Sequence, residues 1–187
     1  MSDEILGGRR KALEESFFAK ESEKLRKTLQ EKEQAKDKKQ ALAAASGITD
    51  DAVLEHLIAL DIHSDTLAAL SLVPLVEVAW ADSTMDDNER SAILSAAKDA
   101  GLSGESAALL DGWLAKRPSY KVLSAWKDYV AALASTMDTA TKDKLEKDLL
   151  GRARTVAEAA GGFLGIGKIS SEEEQKLEEL ARAFSSV

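Results

Sequence analysis

The chain contains no cysteine among its 187 residues. That absence removes disulfide staples, thiolate nucleophiles and thiolate metal ligands together, and it fits a reducing compartment. Histidine is nearly absent too, with only His56 and His63, and proline occurs only at Pro74 and Pro118. Alternating runs of β-branched residues, the mark of strands, are missing. No apolar run reaches the length needed to cross a bilayer, and residues 1–45 are too polar to hold the apolar centre of a secretory signal. The expectation from these absences is a cytoplasmic protein with no transmembrane segment.

What is present favours helices. Apolar residues make up 44% of the chain, enough for a substantial core. Ala, Leu, Glu and Lys recur throughout, and the fold class expected is all-α: a bundle of about seven helices preceded by a long, polar amino-terminal helix. Length suits one domain plus an appendage. Residues 1–45 carry 11 Lys/Arg against 9 Asp/Glu, a net +2, whereas residues 46–187 carry 14 against 24, a net −10. So acidic a body repels phosphate backbones, which argues against nucleic acid as a partner. In the leading segment the signs alternate, as on a solvated helix.

The leading segment, Glu14 to Ala45, is expected to form one long helix or a helix followed by a frayed tail. Leu13 and Phe17 share a face, as do Leu25 and Leu29, and Phe18 falls seven residues before Leu25. From Gln30 to Gln40 the apolar stripe vanishes, leaving nothing to pack along that length. Ser46-Gly47 closes the helix, giving an extension over 1–46 and a helical domain over 47–187. The cluster Leu13, Phe17, Phe18, Leu25 and Leu29 either folds back on the bundle or docks a protein partner or a second copy of the chain.

Beyond the boundary, Thr49 is the expected cap of a helix carrying Val53, Leu54, Leu57 and Ile58, and Ser64 the cap of one carrying Leu67, Leu70 and Val73. Pro74 then either kinks that helix or makes it end and restart, because it cannot donate to the carbonyl of Leu70. Asp86 opens a helix that Gly101 ends. Ser103 or Gly104 starts the next, and Pro118 forces a break. Val122, Leu123, Trp126, Tyr129, Val130, Leu133 and Met137 then follow a 3.6-residue period. Asp138 or Thr139 begins a helix through Leu145, Leu149, Val156 and Ala160, and the last runs from Ser171 to Phe184.

Two loops share a pattern. Trp80-Ala-Asp-Ser-Thr-Met-Asp-Asp-Asn-Glu89 precedes one helix, and Gly165-Ile-Gly-Lys-Ile-Ser-Ser-Glu-Glu173 precedes another. Setting Asp82 on Ile166 places Met85 on Ile169, Asp86 on Ser170, Glu89 on Glu173 and Ile93 on Leu177. Asp86 and Ser170 sit where a side-chain oxygen caps free amides. Glu89 and Glu173, three residues later, can reach back to the cap's own amide and complete a capping box. Each loop then ends one helix and starts another at a fixed angle.

Here the chain resembles the tellurite-resistance TerB-like domains, whose Ala-x-Ala-Asp-Gly-x-apolar-x-x-x-Glu pattern joins two helices, commonly in two copies of an all-helical fold. Ala79, Ala81, Asp82, Met85 and Glu89 match in the first copy; Gly167, Ile169 and Glu173 match in the second. Both copies depart from it, with Ser83 at the glycine of the first and Ile166 at the aspartate of the second. The resemblance covers about residues 50–187. It implies a stress-associated, non-enzymatic module, and it points to metal binding through the acidic loop residues.

Any divalent cation would have to sit at the first loop, on Asp82, Asp86, Asp87 and Glu89. Their spacing matches the back half of an EF-hand loop. The front half is missing, because Val78 and Trp80 stand where the first carboxylates belong, and the same four residues serve equally well as acidic helix caps. Otherwise no cofactor is expected. Gly162-Phe-Leu-Gly-Ile-Gly-Lys168 satisfies the spacing of a phosphate-binding loop, but Ile169 replaces the magnesium-holding hydroxyl and no strand precedes it. His63, in Asp61-Ile-His-Ser-Asp65, could ligate a metal or cap a helix junction, and His56 is placed at a helix rim. No catalytic motif is found. A non-enzymatic interaction module is the leading reading; a metal-responsive sensor and a carboxylate hydrolase are its rivals.

Overall fold

The computed structural model describes residues 2–160 and 169–185, without the side chains of residues 2–19, 21, 22 and 160. Among them there is no strand. The elements are α1 (Ser2–Ser46), α2 (Asp51–Ile58), a 3-10 helix (Leu67–Leu72), α3 (Val73–Ala79), α4 (Asp87–Asp99), α5 (Gly104–Ala115), α6 (Tyr120–Ala134), α7 (Thr139–Ala160) and α8 (Ser171–Ser185). The all-α class and the seven α-helices after the leading one are as the periodicity indicates. No described helix is long and apolar enough to cross a membrane.

The chain divides into two compact units, residues 1–40 and 41–187. The first contains most of α1, which is one uninterrupted helix of 45 residues. Its described side chains from Glu23 to Lys38 are all exposed, as expected of a stretch whose apolar stripe gives out. The second unit begins before the Ser46–Gly47 junction, because the last turns of α1 belong to it: Leu42 is fully buried and Ser46 nearly so. Gly47 then takes a positive φ of 72° and donates to the Ala43 carbonyl at 2.9 Å, ending the helix as a left-handed C-terminal residue does.

The second unit is organised around α3. Every residue of Val73-Pro-Leu-Val-Glu-Val-Ala79 is buried, and a helix buried all round must be packed all round. It contacts α4, α6, α7, α8 and the 3-10 helix. Pro74 sits in the first turn of α3, where a missing N–H costs nothing; the chain therefore ends one helix and restarts. The preceding run is a 3-10 helix, and Ser64 does not cap it. Instead Thr66 turns its hydroxyl inward to accept from the His63 amide at 2.8 Å and donate to the Asp61 carbonyl at 3.0 Å. Asp50, not Thr49, caps α2, its Oδ1 accepting from Ala52 N at 2.9 Å and Val53 N at 3.1 Å. The core closes where Trp126 of α6 meets Phe184 of α8 edge to face, with ring centroids 6.2 Å apart.

Candidate functional site

The α3–α4 corner holds the acidic loop. Past Ala79 the chain tightens through Ala81 N to Val78 O (2.9 Å) and Ser83 N to Trp80 O (3.0 Å). Asp82 then folds over its own turn: Oδ1 accepts from Thr84 N and Thr84 Oγ1, each at 2.9 Å. This local bonding lets the chain pass through Ser83 at φ 73°, in the left-handed region. A side chain there carries roughly 1 kcal/mol of steric cost. The backbone at Ser83 thus lies in a conformation that glycine favours.

The capping box follows. Asp86 Oδ1 accepts from Glu89 N at 2.8 Å, and Glu89 Oε2 accepts from Asp86 N at 2.9 Å. Asp87, in the first turn of α4, is exposed. Its backbone carbonyl accepts from Ser91 Oγ at 2.7 Å. The corner is tied to the end of α5 from two sides. Trp80 Nε1 donates to the Trp113 carbonyl at 2.9 Å, and Arg90 Nη1 to the Leu114 carbonyl at 3.3 Å, so two carbonyls that α5 leaves over at its end gain donors. Val78 is fully buried. Neither Val78 nor Trp80 offers a ligand to the loop.

The second corner repeats the box at the start of α8. Ser170 Oγ accepts from Glu173 N at 3.1 Å and Glu173 Oε2 from Ser170 N at 2.6 Å. Ile93 and Leu177, one turn beyond each box, are both buried, and Met85 and Ile169, just before the caps, both pack on the core. Gly165–Lys168, and with it the segment spaced like a phosphate-binding loop, lies outside the described residues.

Glu89 and Glu173 are only 5% and 6% exposed. Burial, above all, pushes the Glu89 carboxyl up to about 7; the Asp86 amide opposes that rise, and the charges of Asp86, Glu173 and Asp82 add to it. The two boxes are therefore close enough for one glutamate to feel the other. Glu77 of α3 is likewise buried, and its pKa is raised mainly by desolvation. Its partner is Lys176 Nζ at 3.7 Å, and Lys176 also reaches Glu179 Oε2 at 2.6 Å. A lone charge inside the run Leu72–Trp80 was a readable signal for such a buried pair.

Of the residues singled out for interaction, the side chains of Leu13, Phe17 and Phe18 lie outside the described set. Leu25 and Leu29 are 61% and 58% exposed. His56 meets Asp128 of α6 at 3.0 Å. His63 approaches Asp65 and Glu105, and Glu105, far off in sequence, carried no signal of that meeting. An apolar cavity of about 460 Å³ lies beside Trp126, Tyr129, Leu133, Leu145 and Leu149. Among the described residues no buried polar side-chain atom lacks a hydrogen-bond partner. Comparisons with known protein families, with characterised proteins and with solved structures find no match to this chain.

Two predictions test this corner. Replacing Ser83 by glycine relieves the left-handed strain and is expected to stabilise the protein by about 0.5–1 kcal/mol. Chemical denaturation reads this, and a lower midpoint contradicts it. The second concerns pH. An acid whose folded pKa lies above its unfolded value of 4.5 stabilises the fold while protonated, and that stabilisation drains away as pH rises from 4.5 to about 7. Glu89→Gln keeps an acceptor for the Asp86 amide without the charge. The variant should therefore gain on the parent by on the order of 2 kcal/mol between pH 5 and 8. Parallel stability curves for the two proteins would refute the assignment.

Proposed function

We propose that this chain is a non-enzymatic, TerB-like helical interaction module that assembles with a second copy of itself through α1. The observation that carries the reading is the pair Leu25 and Leu29, 61% and 58% exposed and four residues apart on one helix face. Exposed leucines at that spacing lose unfavourable water contact when another helix covers them. A second copy of α1 suits the charge. The segment alternates in sign and nets +2, so two such helices can set Glu against Lys, while bodies of net −10 repel one another. Association is thereby directed to the leading helix.

The corner chemistry supports a structural role for the carboxylates. Glu89 and Glu173 accept from cap amides, and Glu77 faces Lys176. Each buried acid among the described residues thus has its own partner, a cap amide or a lysine. A stress-associated, cytoplasmic role follows from the family resemblance and the absence of cysteine, and belongs to the same proposal.

Light scattering on the full chain tests it. The expected molar mass is twice the chain's 20.1 kDa, falling to a monomer in the Leu25→Lys/Leu29→Lys variant. A monomeric parent, or a variant whose mass does not fall, contradicts it.

A second reading, a divalent-metal response through Asp82, Asp86, Asp87 and Glu89, draws on the neighbouring charges of Asp86, Glu173 and Asp82, which add to a Glu89 pKa that burial mainly raises and which a cation would offset. Titration with calcium, magnesium and manganese decides. A rise in melting temperature that Asp82→Asn abolishes favours the sensor, and no shift with any of the three dismisses it.

A further inference from the structure

The turn between α2 and the 3-10 helix carries a histidine that none of the corner chemistry uses. His63 Nε2 stands 3.3 Å from Glu105 Oε2 and His63 Nδ1 3.8 Å from Asp65 Oδ2. One ligand atom from each of the three residues lies within 4.8 Å of the others. We propose that His63, Asp65 and Glu105 bind a borderline divalent transition metal, zinc foremost, at the junction of this turn with the start of α5.

The donor set decides the class of ion. Calcium and magnesium take oxygen ligands, whereas an imidazole nitrogen beside carboxylates suits zinc and its first-row neighbours. Bonds of about 2.0–2.2 Å place tetrahedral ligands roughly 3.4 Å apart; an ion takes one ring nitrogen, so the carboxylate facing the other nitrogen has to swing across while the set draws in by about an ångström. The side chains can do this: Asp65 and Glu105 are 76% and 66% exposed and free to rotate, while His63 is only 28% exposed. Their backbones, by contrast, are pinned. Thr66 accepts from the His63 amide and donates to the Asp61 carbonyl. Asp61 holds the turn at φ 58°. The buried Ser106 hydroxyl, next to Glu105, donates to the Asp65 carbonyl at 2.8 Å, joining the two halves of the site across 41 residues of sequence.

Electrostatics favours occupation. Among the described residues the only charged or titratable side chain paired with either carboxylate is His63 itself. With neutral imidazole the cluster carries two negative charges on a body of net −10, which concentrates cations at its surface. Three protein ligands leave a fourth position for water, as in open zinc sites. A bound ion would clamp the start of α5 to the turn before the 3-10 helix. The α3–α4 corner takes no part in it.

The test uses the full chain freed of metal, with zinc chloride as the only added probe. Calorimetry should show one equivalent bound. Zinc at 100 times its Kd should raise Tm by roughly 5–10 °C. His63→Gln and Glu105→Gln should each weaken binding at least tenfold, and Asp82→Asn, at the other loop, should leave it unchanged. Both ligand substitutions fall outside the core, and circular dichroism checks their folding. The proposal is overturned if zinc produces neither heat nor a Tm shift. Equal affinity in the parent, His63→Gln and Glu105→Gln also overturns it, as does calcium binding as tightly as zinc.

Discussion

A helix that starts inside a core must give its first amides an acceptor, and two buried glutamates do this for α4 and α8. Glu89 and Glu173 each turn back to the amide of the cap residue while the cap's own oxygen takes theirs. The helix then leaves the corner in a fixed direction, and that direction carries Ile93 and Leu177 into the core one turn later. Desolvation is the cost, visible in the carboxyl of Glu89 held near neutrality. Were the glutamates exposed, the same boxes would be worth a fraction of a kcal/mol each and would fix no angle. Enclosed by protein, they position two helices, and α3, buried on every side, can be enclosed only because its neighbours arrive correctly.

Much of this was legible because capping and punctuation are local. Asp86, Ser170 and the two glutamates announce themselves by spacing alone, as do the breaks at Pro74, Gly101 and Pro118. The errors arose where two local solutions compete. Thr49 and Asp50 are adjacent candidates, and the aspartate won by offering one oxygen to two amides. Ser64 yielded because Thr66 already satisfies the turn from inside. What could not be read was which groups meet across the chain. Lys176 reaches Glu77, and Glu105 reaches His63, through packing that no spacing records. At the end of α1, Ser46-Gly47 closes the helix, and burial of Leu42 places its last turns in the second compact unit.

Ser83 shows that a side chain can occupy the left-handed region when the turn around it is held locally. Its φ of 73° is one that glycine favours, and the Asp82 turn holds the serine there. Asp82, Asp86 and Glu89 of the acidic loop each accept from a neighbouring backbone amide. The interaction proposal draws on other residues, on α1, where Leu25 and Leu29 stand exposed in a stretch rich in charged side chains.

The central claim is that buried carboxylates grip the cap amides and so set the corners. Amide hydrogen exchange on the native protein measures it at single residues. The amides of Asp86 and Ser170 should exchange as slowly as those inside α4 and α8, and far more slowly than that of Asp87, which sits in the first turn of α4 where helices leave their amides without an intrahelical acceptor. Exchange at Asp86 and Ser170 as fast as at Asp87 would mean that the glutamates do not hold the corners.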